Sequence, residues 1–236
     1  VEHLTDALAG QAWKLFLAVE EDGGFLAQAK AGKVQAVITE TNKTRHANAG
    51  KRKEFILGTN QFPNFTEKSE GKTPIEGCHG CKDSGGDIPA IVSSRLASDF
   101  ETLRLSTEKA AKTPVAFMLT IGNLAMRQAR AQFSCNFLAA AGYKVIDNLG
   151  FETVEAGAEA ARKAGADIVV LCSSDDEYAT FAPEAYKALA GRAEFVVAGA
   201  PACMEDLKAV GIEQFVNVKS NVLETLKAFN AKLGIN

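Results

Sequence analysis

Five short apolar runs, alternating with helical patterns, dominate the second half of the sequence and restrict its fold more than any other feature. Their length and apolar character are typical of strands in a parallel sheet that helices cover on both faces. The predicted strands are Val115–Leu119, Tyr143–Ile146, Ile168–Cys172, Phe195–Ala198 and Gln214–Val218. Short connections and the right-handed crossover rule then predict a doubly wound sheet with strand order 2-1-3-4-5.

The segments between these runs carry helix boundary signals. Thr153 is placed to cap one helix, and Pro183 suits the first turn of the next. Ser220 or Asn221 can cap the last helix. Residues 114–236 are therefore predicted to form a flavodoxin-like (Rossmann-like) α/β domain with a five-stranded parallel sheet.

The first 68 residues show a different pattern and are predicted to form a mainly helical segment. One predicted helix ends at Gly23-Gly24, and a second covers Lys33–Asn48. Phe55–Asn60 is predicted to be a short strand or extended segment. Residue 1 is Val, which is expected of a fragment of a longer protein.

Residues 69–113 are predicted to be a connector between these two parts. Its first section, 69–93, is rich in Gly, Ser, Asp and Pro and is predicted to be mobile. Cys78 and Cys81 lie there in a C-x-x-C motif, which half a zinc site or a redox pair can also show. Zinc normally takes four ligands and no second Cys or His pair lies nearby, so a solvated connector without metal is the favoured interpretation.

Composition and charge exclude several classes of function. The formal net charge is -3 and no basic stripe is present, which disfavours a nucleic-acid partner. No apolar run approaches the length of a membrane span. Neither a signal peptide nor an obvious disulfide framework is found, so a cytoplasmic protein with reduced thiols is predicted.

The loops after the predicted strands are where ligands bind in sheets of this type. The dinucleotide fingerprint G-x-G-x-x-G is absent after the first strand. Asp175 and Lys219 match two positions of a phosphoacceptor site, but the first loop has no acidic residue to complete a Mg²⁺ pocket. Ser173, Ser174 and Thr180 could hold the phosphate of a flavin or another small molecule, or could only begin loops and cap a helix.

Several short motifs, in order and spacing, resemble the methylmalonyl-CoA mutase family. They are Leu4-Thr5-Asp6, Ala12-Trp13, Gly23-Gly24, Thr44-Arg45-His46-Ala47 and Ile56-Leu57-Gly58-Thr59-Asn60. Residues 1–68 resemble the segment that joins the substrate barrel to the cobalamin domain in that family. Residues 114–236 resemble the cobalamin domain itself.

The cobalamin motif of that family, D-x-H-x-x-G, is not preserved. Its three positions fall on Ala125, Arg127 and Arg130, and residues 114–236 contain no histidine. Arginine stays protonated and has no lone pair for a metal. The downstream family signals are also replaced, by Ser173-Ser174-Asp175 and by Ala198-Gly199. The resemblance thus implies a degenerate cobalamin site at Ala125, Arg127, Arg130, Ser173, Ser174 and Gly199.

The heterodimeric members of the family have a small subunit that lacks the coenzyme site, and this sequence resembles that subunit. The resemblance implies a structural, non-catalytic partner of a large catalytic subunit. The holoenzyme would be an isomerase that interconverts methylmalonyl-CoA and succinyl-CoA, with adenosylcobalamin held by the large subunit. No catalytic residue is expected in this chain. The alternatives are a flavodoxin-like small-molecule-binding module, or a domain that retains cobalamin without a histidine ligand.

Overall fold

The structure, a computed structural model, describes residues 1–69, 71, 86–91 and 94–235. These residues belong to two compact units. The first consists of Val1–Ala47 and the described residues within Pro74–Leu96. The second consists of the described residues within Asn48–Thr73 and Ala97–Asn236. The predicted domain boundaries at residues 68 and 113 stay predictions.

The first unit is helical, as the sequence predicts. It contains α1 (Glu2–Glu21), α2 (Gly24–Lys30) and most of α3 (Lys33–Gly50), whose last residues lie in the second unit. Gly23 adopts a φ of 93°, which glycine tolerates, and so separates α1 from α2. None of the residues of α1 is buried within the described chain.

The second unit contains the sheet. Its elements are α4 (Ser98–Lys109), β1 (Val115–Thr120), α5 (Leu124–Ala139), β2 (Lys144–Ile146), α6 (Val154–Lys163), β3 (Ile168–Cys172), α7 (Tyr178–Leu189), β4 (Glu194–Ala198), α8 (Met204–Ala209), β5 (Gln214–Val216) and α9 (Val222–Lys232). All paired strands are parallel, and their order is β2-β1-β3-β4-β5. The predicted flavodoxin-like fold is therefore confirmed.

Alternate side chains of the strands enter two separate layers of the core, as the two-residue period of a strand requires. Met118 of β1 and Val170 of β3 pack in the layer formed with α4, α5 and α9. Leu119 and Val169 pack in the opposite layer, formed with α6, α7 and α8. Helices on both faces bury both sets of side chains, which explains why these strands appear in the sequence as continuous apolar runs.

Two predicted helix caps are confirmed, and one helix start is corrected. Thr153 Oγ1 accepts a hydrogen bond from Ala156 N at 3.2 Å, and Asn221 Oδ1 accepts one from Glu224 N at 3.3 Å. Pro183 does not lie in the first turn of its helix, because α7 begins at Tyr178. A proline at this depth removes one helical hydrogen bond, a cost that the buried face of α7 outweighs.

The prediction of a strand or extended segment at Phe55–Asn60 is wrong. Residues 58–60 form a turn, and an isolated bridge joins Leu57 to Gln61. The side chain of Asn60 is fully buried, and its amide donates to Ala49 O and Glu54 O at 2.8 and 3.0 Å. Its Oδ1 accepts a hydrogen bond from Ile56 N at 2.8 Å, so a side chain and not a neighbouring strand holds this segment.

Candidate functional site

Three loops meet at the carboxyl edge of the sheet, after β1, β3 and β4, because the carboxyl ends of parallel strands share one edge. They carry most of the residues that the sequence singles out. Ala125 lies exposed in the first turn of α5, and Thr180 lies exposed in the first turn of α7. Ser173 is buried and Ser174 is half-buried at the end of β3.

Glu177 connects two of these loops. Its carboxylate accepts hydrogen bonds from Ser173 Oγ at 2.6 Å, Ser174 Oγ at 2.7 Å and Ser174 N at 3.2 Å. It also accepts one from Asn123 N at 3.1 Å, across 54 positions of the chain. Both serine hydroxyls proposed as phosphate ligands are therefore used within the protein.

Hydrogen bonds stabilise the charged form of Glu177. Desolvation raises its pKa, but the hydrogen bonds from Ser173, Ser174 and Asn123 outweigh that effect and lower the pKa to about 2. The carboxylate therefore stays ionised well below neutral pH. A Cβ on Gly122 would overlap it, so the glycine is what allows the carboxylate to approach the loop after β1.

Arg127, where the resemblance leads us to expect the family's ligand histidine, connects the loops after β1 and β2. Its guanidinium donates to Gly122 O at 3.1 Å and to Leu149 O at 3.0 Å. A Cβ on Gly150 would overlap this guanidinium. Among the residues that the structure describes, the buried Nε of Arg127 has no hydrogen-bond partner. The side chain thus acts as a structural bridge between carbonyls.

Arg130, where the resemblance leads us to expect the family's motif glycine, pairs with Asp175 in the loop after β3. Its Nη2 lies 2.9 Å from Asp175 Oδ1. A Cβ on Gly199, after β4, would lie 3.0 Å from Asp175 Oδ1 and 3.3 Å from Arg130 Nη1. The space beside Gly199 is therefore already filled by the ion pair.

Polar side chains of this edge occupy the places where the family resemblance leads us to expect a cobalamin site. The family motif supplies an imidazole as the lower ligand, and the position expected for it holds the Arg127 guanidinium, bonded to two carbonyls. The nucleotide tail requires small residues along its path, whereas Glu177 and the Arg130–Asp175 pair occupy the space over Gly122 and Gly199. An ionised carboxylate and a guanidinium occupy that space, so no empty, neutral channel for the nucleotide tail remains there.

Sequence reasoning did not identify the most connected residue of the site, Glu177. A signal was present, because Ser174 and Glu177 have the S-x-x-E spacing in which the glutamate reaches back to the backbone N–H at a helix start. That spacing predicts the bond to Ser174 N but not the bond to Asn123, which needs the tertiary fold.

The remaining cysteine hypothesis concerns other parts of the molecule. Cys78 and Cys81 lie outside the described residues, so their role as connector, metal or redox residues stays a prediction. Within the described ranges, no three His, Cys, Asp or Glu side chains are grouped so that they could hold a metal ion.

No helix among the described residues combines the length and the apolar character needed to cross a membrane.

Known proteins match the chain over its whole length. The methylmalonyl-CoA mutase family model matches residues 1–115. The methylmalonyl-CoA mutase small subunit of Porphyromonas gingivalis is 60% identical over 236 residues, which are 100% of this chain and 38% of that protein. The small subunit of Streptomyces virginiae is 32% identical over 83% of this chain and 33% of its own length. That of Propionibacterium freudenreichii subsp. shermanii is 30% identical over 85% of this chain and 30% of its own length.

The fold and the edge together define a flavodoxin-like α/β domain whose usual ligand site is filled by its own polar side chains. The comparisons identify the family. The chain belongs to the methylmalonyl-CoA mutase family, and the relatives it matches are small subunits. The chain spans about a third of the length of these curated relatives: 38%, 33% and 30%.

Proposed function

We propose that this chain is part of a structural small subunit, which stabilises a homologous large subunit of methylmalonyl-CoA mutase and does not itself hold cobalamin. The observation that carries the proposal is the filled carboxyl edge. Glu177, Arg127 and the Arg130–Asp175 pair take the places where a cofactor domain would keep a ligand histidine and a tail channel. The names of the relatives support the assignment to the small subunit.

The proposal extends to the holoenzyme through the family. The assembly would interconvert methylmalonyl-CoA and succinyl-CoA, with adenosylcobalamin and every catalytic residue in the large subunit. A heterodimer and a cytoplasmic location belong to the same proposal. The alternative of a small-molecule site at Ser173 and Ser174 is not favoured, because both hydroxyls already donate to Glu177.

Cobalamin binding tests the first part. The chain and the large subunit are each dialysed against hydroxocobalamin, and bound cofactor is read from the visible absorbance. We expect retention by the large subunit and none by this chain. Micromolar or tighter retention by this chain would contradict the proposal.

Assembly tests the second part. The full-length small subunit should co-purify with the large subunit, and mutase activity should fall when the small subunit is omitted. A small subunit that stays monomeric beside the large one, with activity unaffected by its absence, would refute the structural role.

A further inference from the structure

An open groove lies on the second unit, between the turn that follows α3, helix α5 and the loop that follows β5. Its volume is about 430 Å³. The lining residues are mainly apolar or amide side chains: Arg52, Phe55, Gln61, Phe62, Ala129, Gln132, Phe133, Asn136 and Val218. None of them belongs to the filled carboxyl edge, so the groove is a separate feature of the surface.

The walls of the groove expose large apolar side chains to water. Phe55 is 69% exposed, Phe62 is 60% exposed and Val218 is 82% exposed. Single exposed apolar residues are ordinary, but several around one concave surface are typical of an interaction site. Phe133, which also lines the groove, packs with its ring 5.9 Å from that of the buried Phe137.

The backbone holds this arrangement in place. Arg52 and Phe62 both adopt a positive φ, of 53° and 49°, a conformation that bulky residues rarely take. The Arg52 guanidinium fixes the turn by donating to Asn60 O and, at 3.0 Å, to Asn136 O. The outward position of Phe62 is thus set before any partner arrives, which lowers the entropy cost of binding.

The charges in and beside the groove are mainly positive. Arg52 stacks over the ring of Phe137 at 5.4 Å and, within the described chain, has carbonyls but no carboxylate as partners. Burial lowers the pKa of Arg52 to about 10, so the group stays protonated at neutral pH. Lys53 and Lys219, next to lining residues in the sequence, are exposed, whereas Glu54, the acidic residue next to Phe55, is half-buried. A bound segment that carries a carboxylate would balance the excess positive charge.

A symmetric contact with a second copy fits these charges poorly. In a two-fold interface centred on the groove, each residue meets its own equivalent or a neighbour of it. The contact would then bring together the Arg52 side chains and the exposed Lys53 side chains of both copies, with only the half-buried Glu54 of each turn as a nearby carboxylate. A different partner surface, both apolar and acidic, would complement the aromatic walls of the groove and the Arg52 guanidinium.

We propose that this groove is where the small subunit binds the large subunit, which inserts an apolar segment bearing a carboxylate between Phe55, Phe62 and Val218. This inference rests on the proposed function, because it takes the large subunit as the partner. Aromatic side chains and arginine dominate the binding energy of protein interfaces, and the groove supplies both.

The experiment measures the affinity of the full-length small subunit for the large subunit by biolayer interferometry. Phe62→Ser should weaken binding at least tenfold. Leu57→Ser is the matched control, because Leu57 is 80% exposed in the same turn but does not line the groove. Val218→Glu should bind about fivefold more weakly than Val218→Lys, since only the former repels a carboxylate. All four substitutions affect exposed side chains, and circular dichroism verifies that the variants fold.

The outcomes separate this inference from the proposed function. If the wild-type subunits do not bind each other, the proposed function itself fails. If they bind and Phe62→Ser matches Leu57→Ser, the groove is not the interface. Hydroxyl-radical footprinting of the free full-length small subunit gives a further check. Protection of Phe55 and Phe62 there would show that a second copy or the rest of the same polypeptide covers the groove, and would overturn the inference.

Discussion

Replacing Glu177 with glutamine isolates the hydrogen bonds that close the carboxyl edge. The amide has almost the same shape as the carboxylate but no charge, and its NH₂ group must face donors. Four donors converge on the carboxylate, from the hydroxyls of Ser173 and Ser174 and the backbone of Ser174 and Asn123. Glu177→Gln should therefore destabilise the second unit without changing its fold.

The lowered pKa sets the magnitude of this effect. The pKa of Glu177 falls from 4.5 to about 2 because desolvation, which raises it, is outweighed by the hydrogen bonds. At about 1.4 kcal/mol for each pKa unit, the displacement gives an upper limit of roughly 3.4 kcal/mol. The carboxylate lies at the edge of the domain, where solvent screens it, so we expect a loss of about 1–2 kcal/mol.

The effect should depend on pH with a defined sign. A group whose pKa is lower in the folded state stabilises that state fully above its unfolded pKa, and the stabilisation is lost as the pH falls through the folded value. The difference between wild type and Glu177→Gln should stay constant from pH 7 to about pH 5.5. It should shrink below about pH 4.5 and approach zero near pH 2.

Urea unfolding followed by far-ultraviolet circular dichroism, at pH 7, 5 and 3.5, measures these differences. Asp176→Asn is the matched control, because Asp176 is the exposed neighbour of Glu177 and should change stability by less than about 0.5 kcal/mol. A Glu177→Gln variant as stable as wild type at pH 7 would refute the reasoning. A loss that is the same at pH 7 and pH 3.5 would show that the charge is not its source.

Two further predictions concern buried groups. Tyr143→Phe removes a buried hydroxyl that donates to Asn230 Oδ1 at 2.6 Å. The change should lower the free energy of unfolding by about 1–2 kcal/mol in the same assay. An unchanged free energy would show that water or another donor replaces the hydroxyl. Burial raises the pKa of the Cys135 thiol to about 12 and also raises that of Cys172. Mass-mapped alkylation at pH 8 should therefore label half-buried Cys203 well before either, and early labelling of Cys172 would indicate local opening.

The sequence predicted the fold well because local patterns and global topology agree in this domain. The five apolar runs became β1 to β5, although β2 and β5 are only three residues long. The turn at Phe55–Asn60 was mispredicted for an identifiable reason. Its apolar residues favour a strand, while the hydrogen bonds that stabilise the observed turn come from the buried side chain of Asn60.

The candidate site was only partly predictable. The family resemblance predicts substitutions at Ala125, Arg127 and Arg130, but not what the side chains at these positions contact. The Arg130–Asp175 pair joins residues 45 positions apart, and no spacing rule links them. Only the folded sheet, which brings the loops after β1 and β3 to one edge, shows that Arg127, the Arg130–Asp175 pair and Glu177 form a polar network that joins these loops.

This network leads to a last prediction, about repair of the cobalamin motif. The triple variant that combines Ala125→Asp, Arg127→His and Arg130→Gly restores the D-x-H-x-x-G motif. We nevertheless expect that it does not bind cobalamin tightly. The triple variant still holds Glu177 over Gly122, and Arg130→Gly leaves Asp175 without its cation beside Gly199.

The packing of large side chains deeper in α5 should also prevent cobalamin binding by the triple variant. Phe137 is fully buried and Phe133 packs against the same core, so a tail channel would have to displace filled volume, and inserting extra volume into a packed core typically costs about 1–3 kcal/mol. The triple variant is mixed with hydroxocobalamin, passed through a gel-filtration column, and its visible absorbance is compared with that of wild type and of the large subunit. A colourless protein peak is expected. A coloured one would show that the ligand histidine alone had been lost and that the polar network yields to the cofactor.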